Sequence, residues 1–313
     1  MKNILITGSS GYLGVQLIKR LAASDDVDRI VGVDIRPPAA RGEKLTFCRA
    51  DIRDPGLARI MADYQIDTVV HLAFVVQPIR SIKQMHDIDC NGTQNVLAAA
   101  AEAGADHFVA TSSTLAYGAH PDNPERLHED HPLRGNRGFP YGYYKAETDR
   151  LMQDFAERRD AMKVAILRPC TVFGPGVDNY ISRMLFLPVT VAVAGGDPPV
   201  QFIHEADFVD GCLAAMSQKA AGAFNLAGDG TVTVGEIAQI LNTRLIRLPA
   251  KIIYPALEAL WRLHAPRIEV NSGYLDYIRY PFVADNQKAK DELGFYPRYD
   301  SRQTVEETVK KGR

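Results

Sequence analysis

The chain has 313 residues, 46% hydrophobic and 24% charged, a balance ordinary for a soluble globular protein with ample core. A net charge of −2 argues against a broad nucleic-acid footprint. Cys48, Cys90, Cys170 and Cys212 lie far apart, so they read as buried small hydrophobes in a reducing compartment, neither disulfide framework nor metal site.

Asn3 to Thr7 reads as a strand and Gly11 to Ala23 as a helix. Its apolar run, Ile4-Leu5-Ile6, is too short for a signal-peptide core. Strands are predicted at Arg29 to Asp34 and Leu45 to Cys48, a helix at Leu57 to Tyr64, then a strand at Thr68 to Leu72. An alanine-rich helix should span Asn91 to Gly104, where glycine stops it. A strand at His107 to Thr111, a helix at Gly142 to Arg158 and a sixth strand at Val164 to Arg168 complete the rhythm. Strands alternating with helices in this way imply an α/β fold, a Rossmann-type doubly wound parallel sheet. After Arg168-Pro169 glycine-proline punctuation breaks the pattern. We therefore read residues 1–170 as a dinucleotide-binding domain and 171–313 mostly as a smaller C-terminal substrate-binding lobe, with about 202–216 returning to the first domain. Leu185 to Ala194, the longest apolar stretch, contains Pro188 and cannot span a bilayer. The expected location is the cytoplasm, without stable membrane insertion.

Between the first strand and first helix lies Thr7-Gly8-Ser9-Ser10-Gly11-Tyr12-Leu13-Gly14. Gly8 suits a tight turn, Gly11 the close approach of a pyrophosphate, and Gly14 contact between helix and sheet. The helix N-terminus supplies free N–H donors to phosphates. Asp34, at the end of the second strand, is where an acid binds ribose hydroxyls. Its charge should repel a 2′-phosphate, favouring NAD over NADP, although Arg36 could pair with one. Asp51-Ile52 is placed either to touch the adenine edge or to form a surface turn.

Tyr141 and Lys145, four apart at the start of a predicted helix, share one face. An ammonium beside a phenol should lower the phenol pKa from about 10. That would make Tyr141 usable as a proton shuttle near neutrality. The histidines, His71 and His204 among them, show no ligand spacing, and we expect no metal.

Taken together, these segments resemble the extended short-chain dehydrogenase/reductase group, specifically the NAD-dependent epimerase/dehydratase family. The resemblance also runs through His71-Leu72-Ala73, Thr111 to Gly118, Leu167-Arg168-Pro169, Phe202-Ile203-His204-Glu205-Ala206-Asp207 and Phe224-Asn225-Leu226-Ala227-Gly228. It implies NAD as cofactor, held by Gly8, Ser10, Gly11, Tyr12, Leu13, Gly14, Asp34, Arg36, Asp51, Ile52, Leu72, Ala73, Tyr141 and Lys145. It implies Ser113, Tyr141 and Lys145 as the catalytic set: Ser113 hydrogen-bonds a substrate hydroxyl, Tyr141 is the acid/base, and Lys145 is its modulator and ribose ligand. It further implies a homodimer through the helices at Asn91–Gly104 and Gly142–Arg158.

The chain departs from this family at three places. Thr114-Leu115 stands where dehydratases carry Asp-Glu, which argues against a 4,6-dehydratase. Val200 stands where nucleotide-sugar epimerases place an arginine for the diphosphate, and an apolar side chain cannot make that charge-assisted contact. Arg183, Arg267 or Arg279 could substitute. Asp89 replaces the family's usual asparagine. The apolar segment Lys251 to Trp261 reads as a core or lid helix, with a wall for a less polar substrate or a membrane-surface face as the alternative. The leading expectation is an NAD-dependent epimerase acting on a small-molecule substrate, a nucleotide sugar. The alternative is a dehydrogenase or reductase of a non-nucleotide alcohol or carbonyl, similar to the 3β-hydroxysteroid and dihydroflavonol branch. A third possibility, an idle NAD-binding scaffold, is opposed by the intact Ser113, Tyr141 and Lys145.

Overall fold

In the computed structural model, which describes residues 2–76, 79–159 and 161–312, the six expected strands form in order. They are β1 (Asn3–Thr7), β2 (Arg29–Asp34), β3 (Leu45–Arg49), β4 (Thr68–His71), β5 (His107–Thr111) and β6 (Lys163–Pro169). Between them run α1 (Tyr12–Ala22), α2 (Leu57–Asp63), α3 (Ile82–His86), α4 (Gly92–Glu102) and α5 (Pro140–Arg158). Side chains alternate across a strand, so Ile4 and Ile6 pack on one side of the sheet with Leu17 and Leu21 of α1. Leu5 points the other way, into a cluster with Val96 and Ala100 of α4. Both faces are covered, which is why these strands read as continuous apolar runs and not as alternating ones.

Beyond β6 come β7 (Thr171–Phe173), α6 (Tyr180–Leu185), β8 (Val189–Val193), β9 (Pro199–Val200) and β10 (Phe202–His204). They are followed by α7 (Glu205–Ser217), β11 (Gly222–Leu226), β12 (Val232–Thr233), α8 (Val234–Leu241), β13 (Arg244–Leu248) and α9 (Ala250–Arg262). The helices α10 (Gln287–Leu293) and α11 (Ser301–Gly312) close the described chain. The main sheet is seven-stranded and parallel, ordered β11-β6-β5-β4-β1-β2-β3. Its seventh strand, β11, was not among the six read from sequence. α7 packs against α1 beneath the sheet, whereas β10 pairs with β7 in a separate two-stranded ribbon. A third cluster, with Tyr117, Phe139, Phe173, Tyr180 and Val200, joins residues from before and after β6.

The strand order reverses between β1 and β4, which are paired with Thr7 opposite His71. In open α/β sheets ligands bind outside the carboxyl ends of the strands at such a switch point. Here those ends carry Gly8 on one side and Leu72-Ala73 on the other.

Candidate active site

The turn after β1 is built without side chains where it must be. Gly8 has φ of +70°, and a Cβ there would lie 2.7 Å from the Ala73 backbone nitrogen. A Cβ on Gly14 would lie 2.3 Å from the Gly8 carbonyl oxygen, so the first turn of α1 can sit against the loop only with glycine there. Gly11 caps α1 with no side-chain hydrogen bond, leaving the N–H groups of the first turn for a ligand. The Tyr12 hydroxyl and the Ser9 Oγ are buried without a hydrogen-bond partner. This bare cradle at a helix N-terminus fits the pyrophosphate of a dinucleotide.

Asp34 ends β2 with one carboxylate oxygen accepting from Ser10 N (3.1 Å) and the other from Arg36 N (3.1 Å). Ser10 Oγ donates to the Arg36 carbonyl, which ties the glycine turn to the acid that should hold the ribose. The Arg36 residue itself is exposed. Asp51 pairs with a neighbouring arginine. Both of its oxygens are taken by Arg53, at 2.7 and 2.9 Å, and this guanidinium holds its carboxyl below the usual range. Ile52 is buried under α4, with its carbonyl accepting from Asn95 Nδ2 at 2.8 Å.

At the carboxyl end of β5 the chain turns through a short 3-10 helix, Thr114–Tyr117, which Ser113 caps by accepting from Leu115 N at 3.2 Å. Ser113 Oγ also approaches the Pro169 carbonyl at 3.4 Å. α5 starts with Pro140 at its first position, so Tyr141 lies in the first turn and Lys145 one turn deeper. Lys145 is buried, and its Nζ donates to the Thr111 carbonyl at 2.7 Å, two residues before Ser113. The three residues therefore converge at the ends of β5 and β6, beside the cradle. Leu72 N bonds to the Thr7 carbonyl at 3.2 Å, and Ala73 abuts Gly8. Phe74, which sequence reasoning did not single out, follows directly. Its ring centroid lies 3.6 Å from Lys145 Nζ and meets Tyr141 edge-on at 5.5 Å.

The electrostatics of this cluster correct one expectation. Tyr141 is not held below the ordinary phenol value. Burial pushes its pKa up, and the charge of Asp89 adds to that. Lys145 Nζ is 5.9 Å from the Tyr141 ring centroid, and burial drives the lysine itself downward, opposed by Asp89 and Asp149. Asp89 lies within an irregular, wider helical turn, Asp87–Asn91. One oxygen accepts from Val75 N at 2.8 Å and the other is buried without a partner, so its carboxyl is raised by desolvation. Its backbone carbonyl accepts from Thr93 Oγ1, which contacts His71 Nε2 at 3.0 Å, while His71 Nδ1 contacts Thr7 Oγ1 at 2.7 Å. His71 is thus a hydrogen-bonded core histidine, as is His204, which caps α7 and stacks on Tyr299.

What fixes α5 was hidden in the sequence. Asp149, one turn past Lys145, makes a bidentate pair with Arg168 of β6, at 2.8 and 3.0 Å, with both side chains essentially inaccessible. Arg168 also donates to the Tyr117 hydroxyl and the Glu129 carbonyl, each at 2.8 Å, and Tyr117 donates to Asn225 Oδ1 at 2.8 Å. Helix, 3-10 turn and two strands are locked together beside Ser113, Tyr141 and Lys145. The only sequence signal was an arginine inside an apolar strand.

Beside Tyr141 opens a mainly apolar cleft lined by Ile79, Arg80, Ile82, Phe139 and Trp261. Arg80 lies 4.5 Å over the Trp261 ring and donates to its carbonyl at 2.8 Å. Val200 is buried in the third apolar cluster, so its side chain offers a diphosphate no charged or polar group. Arg183 is engaged by Asp178 and Glu269, at 2.7 and 2.8 Å, and Arg279 packs over Tyr280 and Tyr254. A second, more polar concavity, which includes Asp197, Glu236 and Arg247, contains none of Ser113, Tyr141 and Lys145.

The sequence model of the NAD dependent epimerase/dehydratase family matches residues 4–227. An uncharacterized protein of Mycobacterium tuberculosis is 30% identical, over 95% of this chain and 81% of its own length. A UDP-glucose 4-epimerase of Neisseria meningitidis serogroup A is 28% identical, over 98% of this chain and 96% of its own. Among solved structures, MoeE5 in complex with UDP-glucuronic acid and NAD superposes with a TM-score of 0.78 at 26% identity, covering 99% of each chain.

Proposed function

The chain belongs to the NAD-dependent epimerase/dehydratase family, and on that premise we propose that it epimerises a hydroxyl-bearing carbon of a nucleotide sugar by transient hydride transfer. The observation that carries the reading is the convergence of Ser113, Tyr141 and Lys145 beside the glycine cradle. The chemistry that NAD supplies when bound is acceptance and return of a hydride. Ser113 holds the substrate hydroxyl by a hydrogen bond, and Tyr141 takes the proton from that oxygen and gives it back. Lys145 holds the cofactor ribose. Epimerisation needs a proton removed from and restored to one oxygen, which a single tyrosine on a pinned helix can do in both directions. Thr114 and Leu115 carry no acid where the family's dehydratases place the pair that eliminates water.

Val200 and the apolar cleft support a second reading, net oxidation or reduction of a non-nucleotide alcohol or carbonyl. We further propose a cytoplasmic homodimer joined through α4 and α5, which sedimentation would test by mass. Among the described residues no helix is long and apolar enough to cross a membrane. The deciding experiment is a thermal melt of the NAD-bound protein with UDP, GDP and dTDP sugars. A ligand of the native state raises the midpoint through linkage, and no shift with any of them would remove the epimerase reading. Sustained NADH formation from a nucleotide-free alcohol would install the second.

A further inference from the structure

α9 is apolar on two sides. Its inner side packs Ile253 and Leu257 against Val193 and Leu275. Its outer side carries Ile252, Pro255, Ala256, Ala259, Leu260 and, just past the helix end, Leu263, all exposed and spaced at three or four residues, so they form one stripe. Leu263 is 78% exposed, Ile252 57% and Leu260 42%. Leucines and isoleucines rarely line up on a helix face that meets only water.

The surroundings of the stripe identify what covers it. Residues 250–267 carry Lys251, Arg262 and Arg267 against one acid, Glu258, which Arg262 neutralises at 2.9 Å. Trp261 leads from the stripe to the cleft beside Tyr141, where Ile82, 56% exposed, is flanked by Arg80 and Lys83. An apolar stripe edged by cations complements an anionic lipid surface, into which such helices sink by about 5–10 Å. A second copy of the chain is a poorer match. A 13-residue helix is about 20 Å long, so a stripe about 10 Å wide offers roughly 200 Å², against the roughly 800 Å² per partner of a stable interface.

We infer that the outer face of α9 is a docking surface for an anionic lipid bilayer, with the cleft beside Tyr141 opening at the zone of contact. The inference rests on the exposure and charge of α9. It stands whether or not nucleotide sugars prove to be ligands.

The test is co-sedimentation of the full chain with phosphatidylcholine vesicles, with and without about 30% phosphatidylglycerol. The expected result is binding at least about tenfold stronger to the anionic vesicles at low salt, weakening as salt is added. Leu260→Asp/Leu263→Asp should lower that binding at least about tenfold, because two charges would have to enter the interface. Lys251→Glu should lower it several-fold through charge alone. All three side chains face solvent, so melting temperature and NAD binding should be unchanged in both variants. Wild-type protein left in the supernatant with anionic vesicles, or equal binding by the double variant, overturns the inference. So does a dimer in solution that the same double substitution splits, since a second copy would then be the occupant.

Discussion

His71 shows how the site holds its parts in one charge state. Its ring is clasped between Thr7 and Thr93, and burial, followed by the nearby charge of Lys145, depresses its pKa from 6.5 to about 3. A group with a depressed native pKa contributes stability above its unfolded pKa, and that contribution drains away as pH falls towards the native one. Stability should therefore decline between pH 6.5 and about 3, by on the order of 4 kcal/mol from this residue. Urea midpoints measured stepwise across that range should fall more steeply for wild type than for His71→Gln, and parallel lines would refute the assignment. Tyr141 carries the complementary lesson. Its spacing to Lys145 was legible, but its proton affinity depends on burial and on Asp89, which reaches it through folding and not through sequence proximity.

At the scale of elements, the helix that carries Tyr141 and Lys145 is held by one buried ion pair. Removing one partner leaves a desolvated charge, so Asp149→Asn should destabilise by about 3–5 kcal/mol, read as a lower urea midpoint. The double replacement Arg168→Met/Asp149→Leu should recover most of the loss, because no charge is then stranded. NAD binding should not recover with it if the pair also sets the rotation of α5. A double variant no more stable than Asp149→Asn would show that the pair's other hydrogen bonds, to Tyr117 and Glu129, matter more. The six strands and their helices were legible because doubly covered strands are apolar throughout and glycines mark the stops. β11 was not. Its Asn225 looks polar for a buried strand, and its side chain is satisfied by Tyr117, Leu127 and Asp285, at least 60 residues away in sequence. The ribbons that follow β6 are two to five residues long, and pairing with distant partners, not local pattern, makes them strands.

At the scale of the molecule, the cofactor should bridge the two halves of the sheet across the β1–β4 switch point, so its binding energy should appear as stability of the whole fold. NAD at about a hundredfold excess over its dissociation constant adds roughly 2.7 kcal/mol, enough to raise the melting midpoint by several degrees. NADP at the same concentration should do less. The Asp34 carboxylate is fixed by Ser10 N and Arg36 N, and if it holds the ribose hydroxyls as proposed, a 2′-phosphate would meet it as a second anion at a few ångströms, where the two repel even when partly solvated. Arg36 is exposed and able to pair with such a phosphate once the acid is gone. Asp34→Ser should therefore reverse the order, weakening the NAD shift and enlarging the NADP shift. Adding Arg36→Ala should abolish the NADP gain without further weakening NAD. Equal shifts from both dinucleotides in the wild type would mean that Asp34 does not contact the ribose, and the cradle would then have to select its cofactor by the pyrophosphate alone.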